Sequence, residues 1–527
     1  MLHFNINDDQ IDYMKSSFKI LVAALISTCI FISTSCSKTL EKKVYSGVPA
    51  QNFWQTPEQI AAGVAPAYQA LTQIPDDAVH DLNEITGGEI IAPTRGSDWD
   101  DNGEWKALWE HTWKPGLGIL NDAWSEIFAG ISQCNFILSV VDSLPQKPAN
   151  IANIDAELKV LRDYFYFLIM DMYGNVPLVT DYNTDPNSVT NSSRKDVFNY
   201  LVNDLKENVP LLTPTKDATS YGRLTKWAGY MLLAKLYLNA EVYTGEQQYA
   251  NCIAACDSII NSGKYSLGDY YADFAIDNQG STENIFVVPF DKVYISGNYW
   301  ELETLPYQLG EKYGLIGTPW NGFCSTFDYY NQFDDADSRK KMFLVGQQYD
   351  NSGNEIIDLQ TGLPLKISPY VNEFSSAADT FRFAGVRNIK YTPEPGTGDE
   401  DLIHAQSNDM VLFRYADALL MKAEAETRLN SNLGDAVSLV NLVRERAFGN
   451  ASHDWKSQDL TFPNLLAERQ REFAWEFWAR NDAIRFGTFG NARTPEKKKD
   501  PDAHLELFPI PAPQIASNPN LKQNPGY

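Results

Sequence analysis

Four tryptophans fall within fifteen residues of the chain, in the stretch APTRGSDWDDNGEWKALWEHTWKPG: Trp99, Trp105, Trp109 and Trp113. Arg95, Asp98, Asp100, Asp101 and Asn102 sit among them. The chemistry this mixture suits is recognition of sugars. A pyranose offers a flat C–H face that stacks on an aromatic ring and buries apolar area there. Its hydroxyls then need short polar groups that donate and accept hydrogen bonds. Trp105, Trp109 and Trp113 recur every four residues, which predicts a helix from which they pack inward. Trp99 lies in a Gly- and Asp-rich loop and is the ring expected to face a ligand, with Arg95, Asp98 and Asn102 beside it. A second candidate cluster holds Tyr299, Trp300, Trp320 and Asn321 among glycines and prolines. Trp320 follows Pro319 and does not suit the middle of a helix, so it is read as a second stacking surface.

Other charged clusters invite other chemistry. Glu468, Arg469, Arg471, Glu472, Glu476, Arg480, Asp482 and Arg485 fall in one segment read as a single final helix. Paired carboxylates in an aromatic cleft would suit a surface glycoside hydrolase, the enzyme alternative. The arginines at helical reach favour a structural network instead, with Glu476–Arg480 and Asp482–Arg485 as pairs. Arg414 and Asp417 are read the same way. FDDADSR, with Asp334, Asp335 and Asp337, offers oxygen ligands for calcium but lacks the twelve-residue spacing of an EF-hand. The preferred reading there is a solvated turn capped by Arg339, with no metal and no cofactor. Motifs for a serine nucleophile, a P-loop or a dinucleotide are absent, and the six histidines are scattered. No catalytic residue is assigned.

These residues need elements to hold them. Thr56-Pro57 followed by Glu58 and Gln59 reads as a helix start, running to Leu71. LKVLRDYFYFLIMDMYG has apolar residues at helical spacing and Gly174 as its stop. GRLTKWAGYMLLAKLYLNAEVY and YANCIAACDSIINSG form a helix pair, and DMVLFRYADALLMKAEAETRL with LGDAVSLVNLVRERAF forms another. Small residues at the crossings suggest tetratricopeptide-like packing. Residues 265–400 are rich in Tyr, Asn, Gly, Asp and Pro, with short strand-like runs such as ENIFVVPF. Long ordered loops on a helical scaffold are where binding usually sits. The fold class is therefore mostly α, a helix-pair scaffold with a loop-rich second half containing small β elements. The closing QNPGY is read as an extended tail anchored by Tyr527. Cys134, Cys252, Cys256 and Cys324 are read as buried free thiols.

The N-terminus carries an address. Ile20 to Ile32 is too short to span a bilayer and suits the apolar core of an export signal, with Lys15 and Lys19 ahead of it and Met14 read as the translation start. Ser33, Thr34 and Ser35 lead into Cys36, which resembles the lipobox of bacterial lipoproteins, with Ser33 where Leu is usual. Residues 1–35 are thus read as a lipoprotein signal, 36–50 as a lipidated tether and 51–527 as a single domain. The net charge of −25 argues against nucleic acid and against binding anionic lipid by charge.

Several segments in order resemble the SusD/RagB family of surface glycan-binding lipoproteins of Bacteroidetes. They are LRDYFYFLIMDMYGNVPLVTD, GRLTKWAGYMLLAKLYL, FRYADALLMKAEAE, VNLVRERA, LLAERQREFAWEFWARNDAIRFG and LFPIPAPQIASNPNLKQNPGY. Ala479 departs from the pattern, standing where the family often has a first Arg beside the one matched by Arg480. The resemblance implies four tetratricopeptide-like helix pairs and an outer-membrane lipoprotein facing the cell exterior through a lipid on Cys36. It also implies non-catalytic capture of an oligosaccharide or other nutrient and a SusC-like TonB-dependent β-barrel transporter as partner. A peptide-binding or ligand-free lid subunit of such a complex is the further alternative.

Overall fold

In the computed structural model the described residues are 53–527, apart from 76, 296 and 399–404. The expected signal, Cys36 and the tether lie outside them. The helices that matter here are α1 (Pro57–Gln69), α2 (Ala78–Gly87), α3 (Glu104–Glu110), α4 (Gly118–Ser143), α5 (Ile151–Tyr173), α6 (Arg194–Asn208), α7 (Lys226–Leu238), α8 (Tyr249–Ile260), α9 (Trp300–Thr304), α10 (Tyr415–Arg428), α11 (Leu433–Phe448), α12 (Phe462–Glu472) and α13 (Ala479–Arg485). Pro57–Tyr527 forms one compact unit.

The scaffold is built from helices packed against their sequence neighbours: α4 on α5, α5 on α6, α7 on α8, and α10 on both α8 and α11. From Leu158 to Tyr173, α5 is buried on nearly every face, as expected of a helix apolar all round. Its contact with α4 requires Gly130, because a Cβ there would lie 2.4 Å from the Phe165 ring. Gly174, at φ 72°, ends α5. Side chains cap the helix starts: Ser193 accepts from the Asp196 N–H at α6 and Thr225 from the Ala228 N–H at α7. The helix pairs expected at α7–α8 and α10–α11 are both present. Cys134, Cys252, Cys256 and Cys324 are buried and free.

Strand pairing is sparse, as expected for residues 265–400. β1 (Thr94–Arg95) pairs parallel with β3 (Ser375–Ser376), and β2 (Asn284–Val288) pairs antiparallel with β4 (Met410–Arg414). The tail packs as read. The Tyr527 hydroxyl donates to the Leu507 carbonyl and accepts from Trp113 Nε1, each at 2.7 Å, while Asn524 Nδ2 donates to the Tyr173 and Phe508 carbonyls.

The charged network departs from the helical pairing. The final segment is two helices, α12 and α13, separated by a turn in which Trp475 and Phe477 adopt φ 60° and 83°. Glu476 therefore does not meet Arg480. It accepts from Lys390 and Arg414, while Arg480 reaches Asp171 at 2.7 Å. The Asp482–Arg485 pair forms, at 2.6 Å. Arg414 does not pair with Asp417 either: it serves Glu283, Glu472 and Glu476, and Asp417 serves Lys235 and Arg469. The FDDADSR turn is likewise no solvated cap. Arg339 is fully buried and bonds Asp337, Glu468 and Glu472. Asp337 is spent on that arginine and Asp335 on Lys340, so this segment does not offer three carboxylates to calcium.

Candidate functional site

The loop from Gly96 to Gly103 is held at both ends. Strand β1 pins its start, and Arg95 and Asp98 exchange backbone hydrogen bonds of 3.0 and 3.2 Å across the Gly96-Ser97 turn. At its far end α3 begins. Trp99, Asp101 and Asn102 all take left-handed backbone, at φ 59°, 39° and 54°. Non-glycine residues hold that conformation only where neighbouring structure enforces it.

Much of that enforcement comes from a loop more than two hundred residues away. Trp99 Nε1 donates to the Trp320 carbonyl at 2.8 Å, and its ring lies against Phe323 with centroids 5.2 Å apart. The backbone N–H groups of Trp320, Gly322 and Phe323 donate to carbonyls of α9, fixing the second loop in turn. The two clusters read separately in the sequence thus form one cleft of about 1390 Å³. Trp99, Trp105, Trp320 and Tyr307 supply its aromatic faces, and Asp98, Asp101, Asn102 and Glu104 its polar groups.

The polar groups are oriented by the rings. Tyr307 Oη donates to Asp98 Oδ2 at 2.5 Å, and Trp105 Nε1 donates to Asp101 Oδ2 at 2.6 Å. Each carboxylate has a second oxygen to offer. Burial, then the Asp98 charge it bonds, push the Tyr307 phenol up to about 12, so it remains a donor at neutral pH. Glu104 Oε2 accepts from the Ile119 N–H at the start of α4, where a carboxylate suits the exposed donors. Burial nevertheless raises the Glu104 carboxyl, with Asp122, Asp101 and Asp81 adding to the rise.

The sequence-selected residues divide. Trp99, Asp98, Asn102 and Trp320 line the cleft. Tyr299 stacks on Trp320, with centroids 5.9 Å apart and planes 30° apart, and supports it from behind. Three expectations need correction. Arg95 is 2% exposed and gives its guanidinium to the carbonyls of Asn321, Gly322 and Ala384, each at 2.9 Å. It staples the two loops rather than meeting a ligand. Asn321 is buried and accepts from Arg387 at 2.8 Å. Trp300 is buried against Tyr391 and Trp475. Trp105 differs in the other direction. Trp109 and Trp113 pack inward as expected, but α3 is short and carries Trp105 to the cleft wall. Tyr307 and Glu104 are site residues that the sequence does not single out, and Asp101 joins from the polar set around the tryptophans. The only signal for Tyr307 is its place after Pro306 in the second aromatic cluster.

Among the described residues no group of His, Cys, Asp and Glu is arranged to hold a metal ion, and no helix is long and apolar enough to cross a membrane.

Comparison with known proteins agrees across most of the chain. The family model described as the SusD family matches residues 282–527, and one described as starch-binding associating with outer membrane matches residues 40–238. The starch-binding protein SusD of Bacteroides thetaiotaomicron is 25% identical over 478 residues, covering 81% of this chain and 82% of that protein. Surface glycan-binding protein A from Bacteroides fluxus superposes with a TM-score of 0.72 at 21% identity, covering 90% of this chain and 100% of the other. The Bacteroides thetaiotaomicron surface glycan-binding protein A, solved with laminarihexaose, gives 0.71 at 21% identity, covering 89% of this chain and 99% of the other.

Proposed function

The chain belongs to the SusD family, and from that premise we propose that its aromatic cleft captures an oligosaccharide at the cell surface for import. It is a binding protein and not an enzyme. The observation that carries the reading is the joining of Trp99, Trp105 and Trp320 in one cleft with carboxylates already positioned by ring donors. Rings bury the apolar sugar face and the carboxylates and Asn102 take up its hydroxyls. Such contacts are individually weak, which suits capture followed by release. The ligand then passes to a SusC-like TonB-dependent β-barrel transporter, against which the helical scaffold packs. A lipid on Cys36 holds the protein at the outer membrane, facing outward.

The decisive measurement is affinity electrophoresis and calorimetry of the purified protein against a panel of soluble glycans. At least one glycan binds, Trp99→Ala and Trp320→Ala each weaken that binding tenfold or more, and no reducing ends accumulate. Binding unaffected by both substitutions would place the site elsewhere. Cys36→Ser is expected to release the protein from the membrane fraction, and retention of the variant there would refute the lipid anchor.

A further inference from the structure

The charge of the cleft carries information about its ligand. Asp98, Asp101 and Glu104 line it, and among the described residues neither lysine nor arginine does. Three nearby cations, Arg95, Arg382 and Lys106, are committed elsewhere. Arg95 is spent on backbone carbonyls, and Arg382 lies over the Tyr307 ring at 5.5 Å and beside Asp358. Lys106 pairs with Glu496 at 2.8 Å and with Glu110. Resting on the glycan-binding reading above, we propose that the cleft selects neutral oligosaccharides and rejects sulfated or uronate-bearing forms of the same backbone.

Two physical effects act in the same direction. A ligand anion brought against three carboxylates is repelled, and the low-dielectric ring walls strengthen that repulsion relative to open water. Hydrogen bonding adds to it. Ionised carboxylates only accept, so they are satisfied by sugar hydroxyls, which donate. A sulfate ester or a uronate has no hydrogen to give them. Sites built for such groups use arginine or lysine, which are absent among the described residues of this wall.

The test uses matched pairs on one backbone: laminarin against sulfated laminarin, and pullulan against carboxymethyl pullulan, each titrated into the full protein. The expected result is that whichever neutral polymer binds does so at least tenfold more tightly than its anionic partner. The gap narrows as NaCl rises from about 20 mM to about 500 mM, because salt screens charge and leaves bulk unchanged. It narrows also in the Asp98→Asn/Asp101→Asn/Glu104→Gln variant. If an anionic partner binds as tightly as the neutral one, or the gap responds to neither salt nor the triple substitution, the charge selection is wrong while glycan binding stands. If neither member of any pair binds, nor any other neutral glycan, the glycan-binding reading itself falls and takes this inference with it.

Discussion

Gly322 gives Trp99 its seat: a Cβ at position 322 would come within 2.1 Å of the indole. Only a hydrogen side chain at that position leaves room for the ring. Gly322→Ala is therefore expected to push the ring out of line with Trp105 and Trp320. Binding of a confirmed glycan should weaken about tenfold, the size of one lost stacking contact of ~1.4 kcal/mol. The melting temperature should change little, because Trp99 is only half-buried and can swing toward solvent. A variant that binds as wild type would show that Trp99 does not touch ligand.

Tyr307 bonds Asp98 across the cleft, so Tyr307→Phe tests whether a positioned carboxylate matters as well as the rings. Removing the hydroxyl keeps the ring and its packing. Loss of one orienting hydrogen bond is expected to cost about 1 kcal/mol of binding, about fivefold in Kd by calorimetry. An unchanged Kd would confine recognition to the aromatic faces.

The helical half was largely readable before the structure, because periodicity and caps are local properties. Thr225, Gly174 and the apolar spacing of α5 mark their elements without help from elsewhere. The break between α12 and α13 was not readable. EFAWEFWAR has good helix-forming residues, and the turn is imposed by distant partners: Glu89 accepts the Trp475 N–H and Glu84 the Ala479 N–H. The site was half legible for the same reason. Trp99 announced itself by its loop, and Trp320 by its proline. Nothing local told Arg95 from a ligand-facing arginine, since its burial depends on carbonyls of residues 321, 322 and 384.

Asp163 is buried in α5, and neither of its oxygens has a donor in reach. Burial first, then the charge of Asp204, raise its carboxyl well above the ordinary value, which favours the protonated form in the folded state. The unfolded chain ionises it near 3.8, and this group's contribution to stability is therefore lost as pH rises above that value. Asp163→Asn replaces the acid with a neutral donor of the same shape. It is expected to melt at or above wild type at pH 7.5, with the advantage shrinking at pH 5. A large loss of stability at pH 7.5 would show that the ionised form is accommodated.

Glu468 titrates with the opposite sign. It is fully buried, which alone would raise its carboxyl, but Arg339, Arg471 and Arg444 outweigh burial and hold it at about 2. The neighbouring Glu472, bonded by Arg339, Arg414 and Arg446, is held low in the same manner. Because the ordinary value is 4.5, Glu468 takes up a proton in the unfolded chain at a higher pH than it does in the folded protein. The stability it supplies is complete above pH 4.5 and disappears as pH falls toward 2. Glu468→Gln leaves three arginines short of one buried charge, and breaking such a pair costs about 3–5 kcal/mol. The variant should melt several degrees lower at pH 7, and its melting temperature should fall less steeply than that of wild type between pH 4.5 and 2. Parallel acid limbs would mean that the acid sensitivity of this fold originates elsewhere than the Arg339 hub.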